Sequence, residues 1–525
     1  MEIRRKSFML LLTLLLLVAA VIAVKPVHAG PPNIADKAIA IAGGSNHSLI
    51  VKEDKTVWSW GKNFYGQLGN GNTDSRDKPM KVPWLYDMTN VAAGTQHSLA
   101  LKSDGTVWAW GANDFGQLGI NSLSNQVSPI QVSSLSDVVQ IVAGNNHSLA
   151  VKSDGTVWTW GMNTYGQLGD GTTNDQKVPV QVQSLSDVKA VAGGMYHSYA
   201  LKNDGTVWAW GNNANGQLGD VSAQNVEVAP IQITTLSNVK AIAAGSHFGL
   251  AVKTDGTLWG WGDNQAGQLG DGTTIDRTSP VQSTGISGVN KVAAGESHSM
   301  ALKSNATVWT WGSNGYGQLG NGTTTSQVNP VQVAGLNQIS QISAGYNHSI
   351  AADITFFRTW GNNDFGQLGH GTVGDELTPK VVRLDLIQDG QVYMIRAKHS
   401  GKFLDVSTYS MDEGAPVVQW YHNNEDNQKW LATKSTNGYT LTALHSGKEL
   451  GVIYNSNANG AKIVQSVNGA QWIFQSTYEG DYAIINAANN YRLDVSNESH
   501  SDGAPFIQWN NTGRDNQVFE LIPLR

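Results

Sequence analysis

Two stretches of the chain set a carboxylate, an indole and a carboxamide at matching intervals. Asp405 precedes Trp420 by 15 residues and Asn427 follows Trp420 by 7, and Asp494, Trp509 and Asn516 repeat both intervals. This combination suits a saccharide. A sugar ring has an apolar C–H face that an indole can cover, and a rim of hydroxyls that a carboxylate can hold through charge-assisted hydrogen bonds. A carboxamide adds one group that both donates and accepts. The competing use of Asp405 and Asp494 is the capping of turns, but the recurrence of the aromatic and amide partners in register favours the binding role.

These residues sit in a threefold pattern that begins near Gln391. "FLDV" (403–406), "ELGV" (449–452) and "RLDV" (492–495) correspond, as do "VVQW" (417–420), "IVQS" (463–466) and "FIQW" (506–509). "NQKW" (427–430), "GAQW" (469–472) and "NQVF" (516–519) close the units. Three units of short strands can close around a pseudo-threefold axis. The pattern resembles the ricin-type β-trefoil lectin family over residues 389–525. The resemblance implies sugar-pocket roles for Asp405, Trp420 and Asn427 and for Asp494, Trp509 and Asn516. It adds contacts from the intervening loops, by Asn423 or Asn424 and by Asn510 or Asn511. Gln428 and Gln517 read as scaffold, and Trp430, Trp472 and Phe519 as core. The second unit has Gly451 for the aspartate and Ser466 for the tryptophan, so no sugar site is expected there.

The larger part of the chain is a longer repeat. The second tryptophan of a W-x-W pair falls at Trp60, Trp110, Trp160, Trp210, Trp261 and Trp311, and a lone seventh at Trp360. "GQLG" follows it seven times, from Gly66 to Gly366. Each unit of about fifty residues reads as four short strands with a tight "SDG"-type turn between the second and third. A small sheet with two apolar faces cannot bury both alone, and radial stacking of seven gives a β-propeller, with a solenoid as the alternative. The phrase A-G-x-x-H-S-x-A-L-x-x-D-G-x-V-W-x-W-G resembles the repeat of the regulator of chromosome condensation family over residues 36–384. The fold expected is therefore all-β, a seven-bladed β-propeller followed by a β-trefoil.

The repeated residues read as architecture. The tryptophans are expected to fill the space between blades. His47, His97, His147, His197, His298 and His348 recur, and Phe248 holds the place in the fifth copy. Sheets pack about 10 Å apart, whereas zinc needs ligands about 2 Å away, so this ring is not expected to bind a metal. The copies differ in the loops. The position before "GQLG" is Tyr65, Phe115, Tyr165, Asn215, Ala266, Tyr316 and Phe365, which makes an aromatic face for a possible protein partner.

The remaining features concern compartment and chemistry. Arg4, Arg5 and Lys6 precede the apolar run 8–24, and "VHA" (27–29) ends in a small residue, the pattern of a signal peptide over residues 1–29. An uncleaved anchor is the alternative. The chain carries a net charge of −7, and loss of the leader makes it more acidic, which argues against a nucleic-acid surface. There are no cysteines, which excludes thiol chemistry and suits an exported bacterial protein. No cofactor is expected, and no membrane association after cleavage. The propeller family's nucleotide-exchange activity on a nuclear GTPase is not expected of an exported acidic chain. A secreted bacterial β-lactamase inhibitor of similar seven-bladed architecture offers the alternative of a protein inhibitor or toxin-like binder. A glycan-targeted hydrolase would need two facing carboxylates, and the loop acids Glu227, Asp276 and Glu376 are scattered along the chain. The reading is a secreted non-catalytic carbohydrate-binding protein whose propeller is an interaction scaffold.

Overall fold

Alternation of apolar and polar residues, broken by glycine-rich turns, makes each fifty-residue unit a four-stranded antiparallel sheet. The computed structural model describes residues 37–524 except Ser222, Thr355, 383–386, 388–389 and 477–480. The expected leader lies outside the described residues, as do the boundary residues 36, 384, 389 and 525. The first blade comprises β1 (Ala38–Gly43), β2 (His47–Lys52), β3 (Val57–Gly61) and β4 (Arg76–Lys81). Six further sheets of the same order follow, ending with the blade from Gln341 to Val381. Four consecutive strands form every blade, so the ring closes through contacts between blades and not through a shared sheet. The solenoid alternative is thereby excluded: the Trp60 indole donates to the Gln367 carbonyl at 2.7 Å, and Ser48 Oγ meets His348 Nε2 at 3.0 Å.

These two contacts form a latch whose indole arm recurs at all seven blade junctions and whose serine–histidine arm recurs at five. Trp110 Nε1 and Ser98 Oγ both donate to the Gln67 carbonyl of the preceding blade's "GQLG", each at 2.8 Å. His47 Nε2 lies 2.9 Å from the same Ser98 hydroxyl. That hydroxyl has one proton and spends it on the carbonyl, so His47 must donate from Nε2, which leaves Nδ1 as a bare acceptor. Gly69, the last residue of "GQLG", has φ +70°, and a Cβ there would stand 2.9 Å from the Trp110 indole nitrogen. The tryptophans Trp60, Trp110, Trp160, Trp210, Trp261, Trp311 and Trp360 are fully buried, as the sequence led us to expect. Five of the six histidines, all but His197, tie neighbouring blades together through a serine hydroxyl.

The fourth junction solves the same problem with different residues. Gly249 stands where the other blades have the latch serine, and the phenol of Tyr199 takes over. Tyr199 donates to the Gln217 carbonyl, to which Trp261 Nε1 also donates at 2.9 Å. A Cβ at Gly249 would fall 2.6 Å from the Tyr199 oxygen, so the glycine makes room for the ring.

The second repeat set forms a pseudo-threefold barrel with hairpin caps, from Gln391–Ala397 to Phe519–Pro523. Trp430, Trp472 and Phe519 are buried in its single core with Leu404, Leu450 and Leu493. Each cap hairpin carries one buried glutamine that clasps a loop of a neighbouring lobe. Gln419 Nε2 donates to the carbonyls of Ser499 and Ser501, Gln465 to those of Ser410 and Asp412, and Gln508 to those of Ser456 and Ala458, all at 2.7–2.9 Å. Among the described residues no helix is long and apolar enough to cross a membrane.

The histidine ring has a consequence for acid stability. Burial holds His47, His97, His147, His197 and His348 down at about 3, and His298 at about 4, from an ordinary 6.5. Below pH 6.5 the unfolded chain binds six protons that the folded propeller refuses, so stability falls as pH drops toward 4. The slope approaches about 1.4 kcal/mol per histidine per pH unit. We expect cooperative acid unfolding with uptake of several protons. His197→Phe, at the junction that lacks the serine partner, should move the midpoint to lower pH; a midpoint unchanged in near-ultraviolet circular dichroism would contradict this.

Candidate carbohydrate-binding site

The hairpin of the first lobe sets the geometry of the first constellation. Its strands Phe403–Val406 and Val417–Trp420 pair so that Phe403 faces Trp420 and Asp405 faces Val418. Cross-strand partners and residues two apart share a face, so Asp405 and Trp420 emerge on the same side of the hairpin. Asn427 is delivered by the 3₁₀ turn Asp426–Gln428. The third lobe repeats the register: Arg492 faces Trp509, Asp494 faces Ile507, and Asn516 sits in the turn Asp515–Gln517.

Both indoles reach solvent and lean on the glycine of a neighbouring lobe. Trp420 is half-buried, and a Cβ at Gly503 would meet its ring at 3.6 Å. Trp509 is exposed, and a Cβ at Gly460 would stand 2.9 Å from its ring. A side chain in place of Gly460 would push the indole off its seat, so the platform of one lobe depends on the loop of another.

The carboxylates lie beneath, nearly covered. Asp405 Oδ2 accepts from Gln428 Nε2 at 2.9 Å and from Asn423 Nδ2 at 3.4 Å. Asp494 Oδ2 accepts from Gln517 Nε2 at 2.8 Å, and its Oδ1 from Asn516 Nδ2 at 3.0 Å. Gln428 and Gln517 also donate to the backbone carbonyls of Tyr421 and Asn510. They are scaffold as expected, with the additional task of aiming the carboxylate, which the spacing did not reveal. Burial raises the Asp405 carboxyl to about 6 against the opposing hydrogen bonds of Gln428, Asn427 and Asn423. Burial likewise raises Asp494 to about 6, opposed by Gln517 and Asn516, with the charge of Glu498 adding to the rise.

The loop residues divide unequally. Asn423 stands beside Asp405 and Asn427, whereas Asn424 is a left-handed turn residue with φ +60°. In the third lobe the place of Asn423 belongs to Thr512, and the expected Asn510 and Asn511 do other work. Asn510 donates its backbone N–H to Asn459, and Asn511 Oδ1 accepts from the Gly513 N–H. The second lobe lacks the constellation: Ser466 Oγ and the Val467 N–H both donate to Glu413, at 2.7 and 2.9 Å.

The propeller acids Asp104, Glu227, Asp276 and Glu376 are engaged locally. Asp104 accepts from the backbone and hydroxyl of Thr106, which pull it down to about 2. Glu227 accepts from the Gln224 N–H, Asp276 from the Asn264 N–H, and Glu376 pairs with Lys380, on three different blades. The described residues contain no group of three or more His, Asp or Glu that could hold a metal ion. At the mouth of the axial channel, Asn145 Nδ2 donates across to the Tyr346 hydroxyl at 2.7 Å. On the same face Tyr165 packs at a tilt against Tyr196 at 4.8 Å, and Phe64 meets Phe365 edge-on at 6.0 Å.

Comparison with known proteins agrees with this division. The chain matches the RCC1-like domain over residues 22–185 and 127–402, and the ricin-type beta-trefoil lectin domain-like family over 383–466 and 468–525. The E3 ubiquitin-protein ligase HERC2 of Homo sapiens is 45% identical over 47 residues, which are 9% of this chain and 1% of that protein. The solved structure of Prp20p from Saccharomyces cerevisiae, reported with that protein's binding to Gsp1p and histones, is 27% identical. It covers 63% of this chain and 87% of its own, at a TM-score of 0.57. The designed threefold symmetric protein ThreeFoil is 38% identical over 25% of this chain and 99% of its own, at a TM-score of 0.25.

The buried carboxyls generate a direct test. In carboxyl-resolved NMR titration, Asp405 and Asp494 should titrate near pH 6, two units above exposed aspartates. Because the folded state binds these protons more tightly than the unfolded chain, their contribution to stability is present at low pH and is lost as pH rises through about 6. Asp405→Asn should therefore stabilise the lectin-like domain at pH 7; a midpoint near 4 would contradict the burial argument.

Proposed function

Because the chain belongs to the RCC1-like domain family and carries a ricin-type β-trefoil lectin domain behind its propeller, we propose that it is a secreted, non-catalytic glycan-binding protein. The lectin domain accounts for carbohydrate binding, and the propeller for an interaction scaffold. The finer reading is that glycan binds at two places, at Asp405, Trp420, Asn423 and Asn427 and at Asp494, Trp509 and Asn516.

One observation carries this reading: a solvent-facing indole and a nearly buried carboxylate share one face of a hairpin in the first and third lobes, and both are absent from the second. An aspartate that only capped a turn would not need a neighbouring glycine to seat an exposed tryptophan. Each site is a shallow surface, and linkage on one rigid domain raises the effective concentration at the second once the first is occupied. The propeller contributes a face whose loops vary in length and charge, with aromatic rings at its rim, the composition of a protein-binding surface. Secretion rests on the basic, apolar and small-residue order of residues 1–29.

A glycan array tests the proposal, using protein recovered from the medium of an expressing culture and starting at Gly30. Asp405→Ala combined with Asp494→Ala should lower binding at least about tenfold, the loss expected from charge-assisted hydrogen bonds. Wild-type binding should weaken as pH falls through 6, because protonation removes the negative charge that strengthens the acceptors. An unchanged double variant would refute the site assignment.

A further inference from the structure

The rim of the propeller's axial cavity carries two acids that the repeat does not call for. The position after W-G is acidic only at Asp263, and the position two before the ring histidine only at Glu296. They belong to the fifth and sixth blades, which are neighbours. Asp263 Oδ2 accepts from Gln268 Nε2 at 2.8 Å, and its Oδ1 from the Gln265 N–H at 3.2 Å. Glu296 Oε2 accepts from Asn347 Nδ2 at 3.0 Å. Among the described residues neither carboxylate has a cationic partner. The charge is not needed for the glutamine bond. Asn212 and Asn362 hold the place of Asp263 in the fourth and seventh copies and accept from Gln217 and Gln367 in the same way.

Aromatic rings stand beside these acids. Burial lowers the His247 imidazole, and Asp263 and Glu296 are both close enough to oppose that shift, so at neutral pH the ring is uncharged and cancels neither acid. Tyr196 lies 6.3 Å from His247 and 4.8 Å from Tyr165, between ring centres. Burial raises the Tyr196 phenol, and the nearby phenols of Tyr165 and Tyr346 add to the rise. Tyr346 is fixed at the cavity mouth by Asn145, and its carbonyl accepts from the Glu296 N–H at 3.0 Å. All six of these side chains are partly exposed, and they come from the third to the seventh blade. The lysine at the Asp263 position of the first copy, Lys62, lies over Phe64 and Phe365 at 5.1 and 4.6 Å, on the first blade.

We propose that this rim is the docking site of a protein partner that presents a basic side chain, its cationic head received by Asp263 and Glu296 and its stem lying across the Tyr196 and Tyr346 rings. The inference deepens the interaction-scaffold reading above and rests on it. Carboxylates held in place without a counter-ion offer charge-assisted hydrogen bonds, and phenol faces attract the same cation. An arginine fits best, because its planar fork can meet carboxylates while it stacks on a ring. A site spread over five blades has the breadth of a protein surface, whereas a small molecule is held in an enclosing pocket.

The test selects a phage-displayed random peptide library on the immobilised full chain and measures the selected peptides, made synthetically, by calorimetry. The selected peptides should share a basic residue. Exchanging that residue for glutamine should weaken binding at least about tenfold, and Asp263→Asn combined with Glu296→Gln in the protein should do the same. Asp263→Asn copies the arrangement at Asn212 and Asn362, and an unchanged near-ultraviolet circular dichroism spectrum checks that the double variant is folded. Asp114→Asn combined with Asp364→Asn removes two exposed loop acids of the second and seventh blades. That pair should change binding by less than about threefold, since exposed charges further away are screened. Selected peptides that lack a basic residue, or basic peptides indifferent to the Asp263 and Glu296 exchanges, overturn the inference while leaving the propeller an interaction scaffold. Failure to select any peptide overturns the scaffold reading with it.

Discussion

A buried polar side chain that can be satisfied only by the backbone of a neighbouring repeat holds both halves of this molecule together. In the propeller, an indole and a hydroxyl of one blade converge on the glutamine carbonyl of the blade before it. In the lectin domain, one glutamine per lobe donates to two carbonyls of a neighbouring loop. Left alone, each of these groups would be a buried donor without a partner, costing about 1–3 kcal/mol. Only a closed ring, in which every repeat has a neighbour, satisfies them all. The latch thus makes closure the favoured state of the chain.

This division of labour explains where function can reside. Residues that form the latch are committed to architecture, and the fourth junction shows how strictly: when the serine is replaced by Gly249, the Tyr199 phenol supplies the missing donor from the other side. The solvent-facing ends of the repeats carry no such duty. In the lectin domain the second lobe keeps its clasping Gln465 although it has neither the aspartate nor the tryptophan, so the residues that hold the fold are separate from those of the candidate site. The inter-lobe glycines Gly460 and Gly503 join the two roles, since each seats an indole belonging to another lobe.

Much of this was legible in the amino-acid sequence because repeats announce themselves. The spacing of Trp60 to Trp360 marked seven blades, and the interval from Asp405 to Trp420, repeated from Asp494 to Trp509, marked two matched constellations. What stayed hidden was the identity of partners across a junction. "HS" and "GQLG" were visible as words, but that His47 donates to Ser98 fifty-one residues later depends on how one sheet lies on the next. The loop asparagines were misaligned for a related reason. Asn510 and Asn511 match Asn423 by type, whereas the backbone turn assigns that place to Thr512, whose hydroxyl can hold the turn but not donate an amide proton.

The central claim is that saccharide binding belongs to the first and third lobes and to no other part of the chain. Calorimetric titration of the wild-type protein with its best glycan at neutral pH measures this most directly. The account predicts two saccharides bound per chain, falling to one when either Trp420 or Trp509 is replaced by alanine. A third equivalent persisting through both replacements, or none at all in the wild type, would contradict it.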